Sequence, residues 1–147
     1  MLKSIKNDLL YILNILEAIE KILIYAKDCK NAEDFYYKND QLNFNATLTL
    51  FTQIAENVGK LSDELKNIYF PIEWHKIKGL RNRITHDYTG IDIFIVFDII
   101  QNSLSNLESE LIKIIQNELK NNNFDINELN IAKENYYYRH IDFSKIS

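Results

Sequence analysis

The sequence predicts an all-α protein, an antiparallel four-helix-type bundle with an additional C-terminal helical arm. Only three glycines and one proline occur among 147 residues, which leaves few of the turns that an all-β fold requires. Apolar residues recur at intervals of three and four over long stretches, the spacing that places them on one face of an α-helix. Long helices joined by short connections pack as an antiparallel bundle.

Four long helices follow from this spacing. They are predicted over residues 2–28, 41–67, 71–87 and 91–120, with a short helical turn at 31–37. Pro71 suits the first turn of the third helix, because the amide hydrogen that proline lacks has no partner there. Gly90 suits a helix end, since glycine readily adopts left-handed backbone. Residues 1–120 are therefore expected to form the bundle. Residues 121–147 form an extension with a further helix at 125–138, packed on the bundle or on a partner.

Composition is that of a globular chain, with 46% hydrophobic and 26% charged residues and a formal net charge of −4. A negative overall field does not attract nucleic acid, so a polyanionic ligand requires a local basic patch. The single cysteine, Cys29, cannot form an internal disulfide, which fits a reducing compartment. Charges interrupt the apolar N-terminal segment, so neither a secretion signal nor a membrane span is expected there. A cytoplasmic location without a membrane partner is predicted.

The sequence predicts no metal or cofactor site. It contains no glycine-rich phosphate loop, no HExxH motif and no CxxC pair. The three histidines, His75, His86 and His140, lack the spacing of metal ligands.

Basic residues gather in the run "HKIKGLRNRITH", which contains Lys76, Lys78, Arg81 and Arg83 and no acid. This run is the candidate patch for phosphate or RNA. The alternative is a helix whose last turns carry cations that complement the helix dipole, which explains Arg83 better than the two lysines. Apolar residues of the same predicted helix lie three or four apart and form its expected buried face: Trp74, Ile77, Leu80 and Ile84.

His86 is the acid–base candidate of this run, because an unperturbed imidazole exchanges protons near neutral pH. RNA supplies its own nucleophile, the 2′-hydroxyl, so a histidine and a guanidinium suffice to cleave it without a metal. On one continuous helix Asn82 and His86 share a face, whereas Arg81 lies about 140° away from His86. Either the arginine side chain bends around the helix, or the two groups meet across an interface between chains. A purely structural histidine is the alternative.

The fourth predicted helix carries apolar residues on more than one face: Ile91, Phe94, Ile95 and Ile99. In a bundle of this size the surplus suggests burial against a second copy of the chain. The alternative is a central helix that contacts two neighbours of its own chain.

The spacing of Arg81, four residues, His86, one residue and Tyr88 resembles the motif of the HEPN superfamily in its HepT-like branch. The surrounding segment "EWHKIKGLRNRITHDYTGIDIFIVFDII" and the upstream segment "IAENVGKLSDEL" are similar as well, so the resemblance covers roughly residues 1–120. It implies a homodimer in which two motifs face each other at the dimer cleft. It further implies a metal-independent endoribonuclease, the toxin of a type VII-like toxin–antitoxin pair whose antitoxin is an MntA-like nucleotidyltransferase.

Carried over to this sequence, the resemblance implies that Arg81 stabilises the scissile phosphate and that His86 is the general acid/base. It implies that Asn82 orients the motif, with Arg83 in support, and that the antitoxin AMPylates Tyr88. An adenylyl group there would add bulk and negative charge to a cationic cleft and so exclude RNA.

Several alternatives stay open at this point. Tyr88 could instead pack a helix corner, and Asp87 could either orient His86 or weaken phosphate binding. The tail run "YYYRH" offers stacking faces and a cation to single-stranded RNA, or forms part of a packed arm. The whole protein could also be a non-catalytic module that partners a nucleotidyltransferase and docks nucleotide or RNA, or a purely structural bundle.

Overall fold

Helices dominate the computed structural model, which describes residues 3–86 and 90–147. The α-helices are α1 Leu9–Tyr25, α2 Ala32–Tyr37, α3 Leu42–Lys60, α4 Asp63–Ile68, α5 Trp74–Lys78, α6 Leu80–Ile84, α7 Ile93–Asn102, α8 Leu104–Lys120 and α9 Ile126–Lys133. Short 3-10 helices occur at Ile5–Asn7, Tyr136–Tyr138 and Phe143–Lys145. Two short strands, β1 Thr85–His86 and β2 Gly90–Ile91, pair in antiparallel fashion. The all-α prediction is confirmed.

Helix α1 forms the centre of the core. It packs chiefly against α3 and also against α8. Its buried residues lie on more than one face of the helix. They are Leu9, Ile12, Leu13, Ile15, Leu16, Glu17, Ala18, Ile19 and Ile22. Burying a large aliphatic side chain stabilises the fold by about 1.5–3 kcal/mol, so this helix contributes strongly to stability.

The second long helix predicted from the sequence is divided in two at Leu61 and Ser62. The Ser62 hydroxyl accepts a hydrogen bond from the Leu65 amide and so caps the start of α4. Asp8, which is buried, accepts hydrogen bonds from the Ser62 amide (3.0 Å) and from the Ser62 hydroxyl. Burial outweighs these hydrogen bonds and raises the pKa of the Asp8 carboxyl above its usual value. A contact with the start of α1 therefore fixes the break between α3 and α4.

The third predicted helix is also shorter than its sequence pattern suggested. It begins at Trp74 rather than at Pro71, and Gly79 separates α5 from α6. The helix ends at Ile84, so the prediction that it includes His86 is wrong. Gly90 does have a positive φ of 109°, but it lies in strand β2 and not at the end of a helix. The fourth predicted helix is likewise divided, at Ser103 between α7 and α8.

The C-terminal extension lies against α1. The Glu17 carboxylate is 1% exposed and accepts a hydrogen bond from the His140 amide (2.8 Å), and Nδ1 of His140 lies 2.6 Å from it. The Tyr138 hydroxyl donates to the Asn14 side chain at 2.7 Å. Tyr136 is exposed, and the guanidinium of Arg139 lies 4.2 Å from its ring centroid. Two polar side chains of α1, the buried Glu17 and the half-buried Asn14, thus hold the extension in place.

Replacing Gly90 with alanine should destabilise the protein through backbone strain alone. A Cβ at this position would meet no atom within 4 Å, but the φ of 109° is one that L-residues rarely adopt. Such strain costs on the order of 1–3 kcal/mol. Gly59→Ala, inside α3, is the matched control, because its Cβ would make only an ordinary 3.7 Å contact with the Lys78 side chain. Alanine is also the better helix former there, by roughly 0.5–1 kcal/mol. Urea titrations should show a loss of unfolding free energy for Gly90→Ala and none for Gly59→Ala. Equal stability of Gly90→Ala and the wild type would contradict the proposed strain.

Candidate functional site

Helix α6 turns its arginines towards solvent because its two apolar residues are buried. Leu80 and Ile84 lie four residues apart and are 4% and 2% exposed. Trp74 in the preceding helix is buried too, and Ile77 is half-buried, so the predicted buried face is confirmed. The residues between Leu80 and Ile84 are all exposed: Arg81, Asn82 and Arg83. Packing of one face of α6 therefore presents two guanidinium groups and an amide on the other.

The chain leaves α6 through a short pair of strands. The Thr85 hydroxyl donates to the carbonyl of Arg81 at 2.7 Å, which helps to end the helix. Thr85 then pairs with Ile91, and His86 pairs with Gly90. The Asp92 amide donates to the Ile84 carbonyl at 2.8 Å and extends this pairing by one step. The backbone of His86 is consequently fixed two residues beyond the arginine helix, and not on the same helical face as Asn82.

Asp92 is a structural residue of this site that the sequence reasoning did not single out. Its carboxylate caps α7 by accepting hydrogen bonds from the amides of Phe94 (2.9 Å) and Ile95 (3.2 Å). An aspartate just before an apolar helical run is a recognisable cap signal, so the sequence did contain this information. Asp92 therefore links the strand that pairs with His86 to the first turn of α7.

Some of the predicted site falls outside the described residues. Asp87 and Tyr88 belong to this part of the chain, and so does the side chain of His86. The predicted roles of these groups remain predictions.

The basic run lines two different clefts rather than one patch. Lys76 and Arg83 line a cleft of about 380 Å³ between α5, α6 and the junction of α7 with α8. The same cleft contains two acids, Glu73 and Glu110. Lys76 Nζ lies 2.7 Å from Glu73 Oε2, and this hydrogen-bonded pair lowers the pKa of the exposed Glu73 carboxyl. Much of the positive charge of Lys76 is thus already matched by an acid.

Lys78 lines the second cleft, of about 360 Å³, on another side of α5. Its other lining residues include Lys66, Phe70 and His75, and no acid is among them. Lys66 comes from α4 and lies outside the predicted basic run, so the sequence pattern did not identify it. We call this cleft, lined by Lys66, Asn67, Phe70, Ile72, Trp74, His75 and Lys78, the lysine cleft.

Within residues 3–86 and 90–147, no group of three or more histidine, cysteine or acidic side chains is arranged to hold a metal ion. Among the helices of that same part of the chain, none has the length and apolar character to cross a membrane.

Comparisons with known proteins place these features in a family. A family model described as "Ribonuclease HepT-like" matches residues 15–114. A Methanocaldococcus jannaschii protein named "Gamma-glutamylcyclotransferase and putative RNase" is 28% identical over 123 residues, which are 84% of this chain and 53% of that protein. The chain thus spans about half the length of this relative. A Caldanaerobacter subterraneus protein named "putative RNase" is 27% identical over 108 residues, 74% of this chain and 94% of its own length.

A further M. jannaschii protein with the name "putative RNase" is 27% identical over 106 residues, 72% of this chain and 85% of its own length. No solved structure matches this chain. The family model covers well over half of the chain and includes the whole run from Trp74 to Asp92. This chain belongs to the HepT-like ribonuclease family of the HEPN superfamily.

Proposed function

We propose that the protein is a metal-independent endoribonuclease with Arg81 and His86 as its catalytic pair. The observation that carries the proposal is the exposed α6 surface, where Arg81, Asn82 and Arg83 precede the strand that contains His86. Two relatives named "putative RNase" match this chain over most of their own length, which supports the same activity here. Lys78 adds a further cation on α5, whereas the charge of Lys76 is largely matched by Glu73.

The reaction follows from the chemistry of RNA and of these two side chains. The imidazole of His86 removes the proton of a 2′-hydroxyl, whose oxygen attacks the adjacent phosphorus. The bond from phosphorus to the 5′-oxygen breaks, and the protonated imidazole of His86 gives its proton to that leaving oxygen, so the products are a 2′,3′-cyclic phosphate and a 5′-hydroxyl. The guanidinium of Arg81 stabilises the extra negative charge on the phosphorane oxygens. Asn82 and Arg83 orient and support the site.

A second copy of the chain is proposed to complete the site. Phe94, in the first turn of α7, is 61% exposed next to half-buried Ile91, Ile93 and Ile95, so an apolar surface lies beside the strand of His86. Covering this surface with a second copy would bring the two motifs together. Ile99 was predicted from the sequence to belong to the same apolar surface, but it is 1% exposed and is therefore buried within its own chain.

A nucleotidyltransferase antitoxin is proposed to neutralise the activity by AMPylating Tyr88. Tyr88 follows His86 by two residues in the sequence, so the modification would be attached close to His86 along the chain. The phosphate of the adenylyl group would pair with the cations of α6, and its bulk would occupy the RNA path. The protein would then be the toxin of a toxin–antitoxin pair.

Purified protein should cleave single-stranded RNA in the presence of EDTA. His86→Ala should lower the cleavage rate by roughly 100- to 10,000-fold through loss of the general base. Arg81→Ala should lower it by roughly 100- to 1,000-fold through loss of phosphorane stabilisation. Lys120→Ala, which removes an exposed cation at the end of α8, is the control and should leave the rate unchanged. Full activity of His86→Ala would remove this residue from the mechanism. RNA binding without any cleavage by the wild type would favour the non-catalytic binding module.

Mixing two inactive variants tests whether the site is shared between chains. If Arg81 of one copy works with His86 of the other, a heterodimer of Arg81→Ala and His86→Ala contains one intact site. The mixture, after mild denaturation and refolding, should then recover a substantial part of the wild-type cleavage rate. Mixing either variant with the double variant Arg81→Ala/His86→Ala should recover none. No recovery in a mixture whose heterodimers are demonstrated by native mass spectrometry would place both groups in one chain.

Co-expression with the nucleotidyltransferase of the proposed pair tests the modification. Intact-mass measurement should show one or more added AMP groups on the wild type and none on Tyr88→Phe. Tyr136→Phe, which alters another exposed tyrosine, should be modified like the wild type. A neutralised complex in which Tyr88 carries no adenylyl group would mean that the partner inhibits by steric capture.

A further inference from the structure

The lysine cleft combines positive charge with an exposed aromatic ring. Lys66 and Lys78 line it from two different helices, and within the described residues neither ammonium has a carboxylate within 4 Å. Partial burial, together with the nearby ammonium groups of Lys3 and Lys78, holds the pKa of Lys66 below its usual range. Asp63 and Asp8 act on Lys66 in the opposite direction but more weakly. The cleft therefore has a positive charge that the described part of the chain leaves largely unmatched.

Lys3 and Lys78 both lie near the last turn of α3. Lys3 Nζ donates to the carbonyl of Gly59 at 2.8 Å, and the Lys78 side chain passes close to the same glycine. Carbonyl groups at the end of a helix attract cations, which accounts for Lys3. It does not account for Lys66 and Lys78, since among the hydrogen bonds of residues 3–86 and 90–147 neither side chain donates to that helix end. Their charge is available to an external anion.

Phe70 supplies the second feature of the cleft. Its side chain is 78% exposed, so its ring is open to a ligand. Trp74, by contrast, is buried and its indole N–H donates to the Tyr69 carbonyl at 3.1 Å, so it forms a fixed wall. An exposed ring beside unmatched cations suits a ligand that carries both a flat apolar face and a phosphate. A volume of about 360 Å³ lies within the range of about 300–1,000 Å³ typical of small-ligand sites.

The cleft is also connected to Arg81 through the helical path of α5 and α6. Gly79 donates to the His75 carbonyl and accepts from the Arg83 amide, so the helical path continues from α5 into α6 through one irregular residue. Lys78 and Arg81 are three residues apart on this path, or about 4.5 Å along its axis. A strand whose phosphate lies on Arg81 can therefore continue towards Lys78.

We propose that the lysine cleft binds a nucleotide of the RNA strand adjacent to the scissile phosphate, with its base on Phe70 and its phosphate between Lys66 and Lys78. The assignment rests on the proposed ribonuclease function, because it places the cleft along the same strand. RNA is favoured over a protein partner, since the cleft combines two cations, neither of which has a carboxylate within 4 Å among the described residues, with one exposed apolar ring rather than a continuous apolar patch. The cleft would then hold the substrate in register without taking part in proton transfer.

The test measures binding apart from cleavage. In the full-length His86→Ala background, a fluorescein-labelled 12-nucleotide single-stranded RNA is titrated by anisotropy at several salt concentrations. Lys66→Gln/Lys78→Gln should weaken binding roughly tenfold and reduce the slope of log affinity against log salt by about 0.7, which corresponds to the loss of one neutralised phosphate. Phe70→Ala should weaken binding at least fivefold with the slope unchanged, because stacking is not electrostatic. The control Lys120→Gln/Lys133→Gln removes the same net charge elsewhere and should bind like its parent.

Each outcome has a defined meaning. Equal affinities and slopes for the cleft variants and the control would overturn the proposal, even if the wild type cleaves RNA. Cleft-dependent binding without cleavage by the wild type would support the cleft and overturn the ribonuclease function instead. AMP alone, bound with the affinity of the oligonucleotide and with the same dependence on Phe70, would reassign the cleft to a free nucleotide and overturn the RNA assignment. Unchanged RNA binding together with loss of the dimer in the cleft variants would reassign it to a protein interface.

Discussion

Burial of Leu80 and Ile84 is the constraint on which the candidate site depends. Helix α6 has only five residues, and two of them, four positions apart, are fixed in the core where α6 packs against α3 and α7. The three intervening residues are all exposed on the remaining surface of the helix. Moving the arginines inward would bury two charged groups and expose two large aliphatic side chains, at a cost of several kcal/mol. Core packing, rather than any contact with a ligand, therefore sets the direction of Arg81 and Arg83.

The same helix shows which parts of the structure were predictable from sequence. The three- and four-residue spacing of Trp74, Ile77, Leu80 and Ile84 depends only on local geometry, so the buried face was found correctly. The end of α6 at Ile84 depends on pairing with residues 90–92, a contact that no helical period reveals. The break between α3 and α4 similarly requires the buried Asp8, which lies 54 residues from Ser62 along the chain. Sequence spacing gave the faces of the helices correctly, but their ends depended on tertiary hydrogen bonds.

The basic residues show the same limit in a different form. Lys76 and Lys78 are near neighbours in sequence, yet α5 separates them into two clefts, and Glu73 pairs with only one of them. The cations that join Lys78 are Lys3 and Lys66, from distant segments that the sequence pattern did not connect with it. In a chain with a formal net charge of −4, such clusters restrict polyanion binding to a few surfaces. A run of basic residues in a sequence therefore indicates that a basic patch exists more reliably than it indicates which residues form that patch.

Strand β2 connects the strand that contains His86 to the apolar surface proposed for dimer contact. Gly90 and Ile91 pair with the strand that contains His86, and Asp92 immediately caps α7, whose first turn carries the exposed Phe94. Phe94 lies four residues after Gly90, the strand partner of His86, so one short pairing links the backbone of His86 to the apolar surface proposed for dimer contact. A shift of α7 on association would move β2, and the hydrogen bond from Asp92 to the Ile84 carbonyl would transmit that shift to the end of α6. Association of two chains would therefore position the arginine helix and the histidine strand together, which is what a site shared between chains requires.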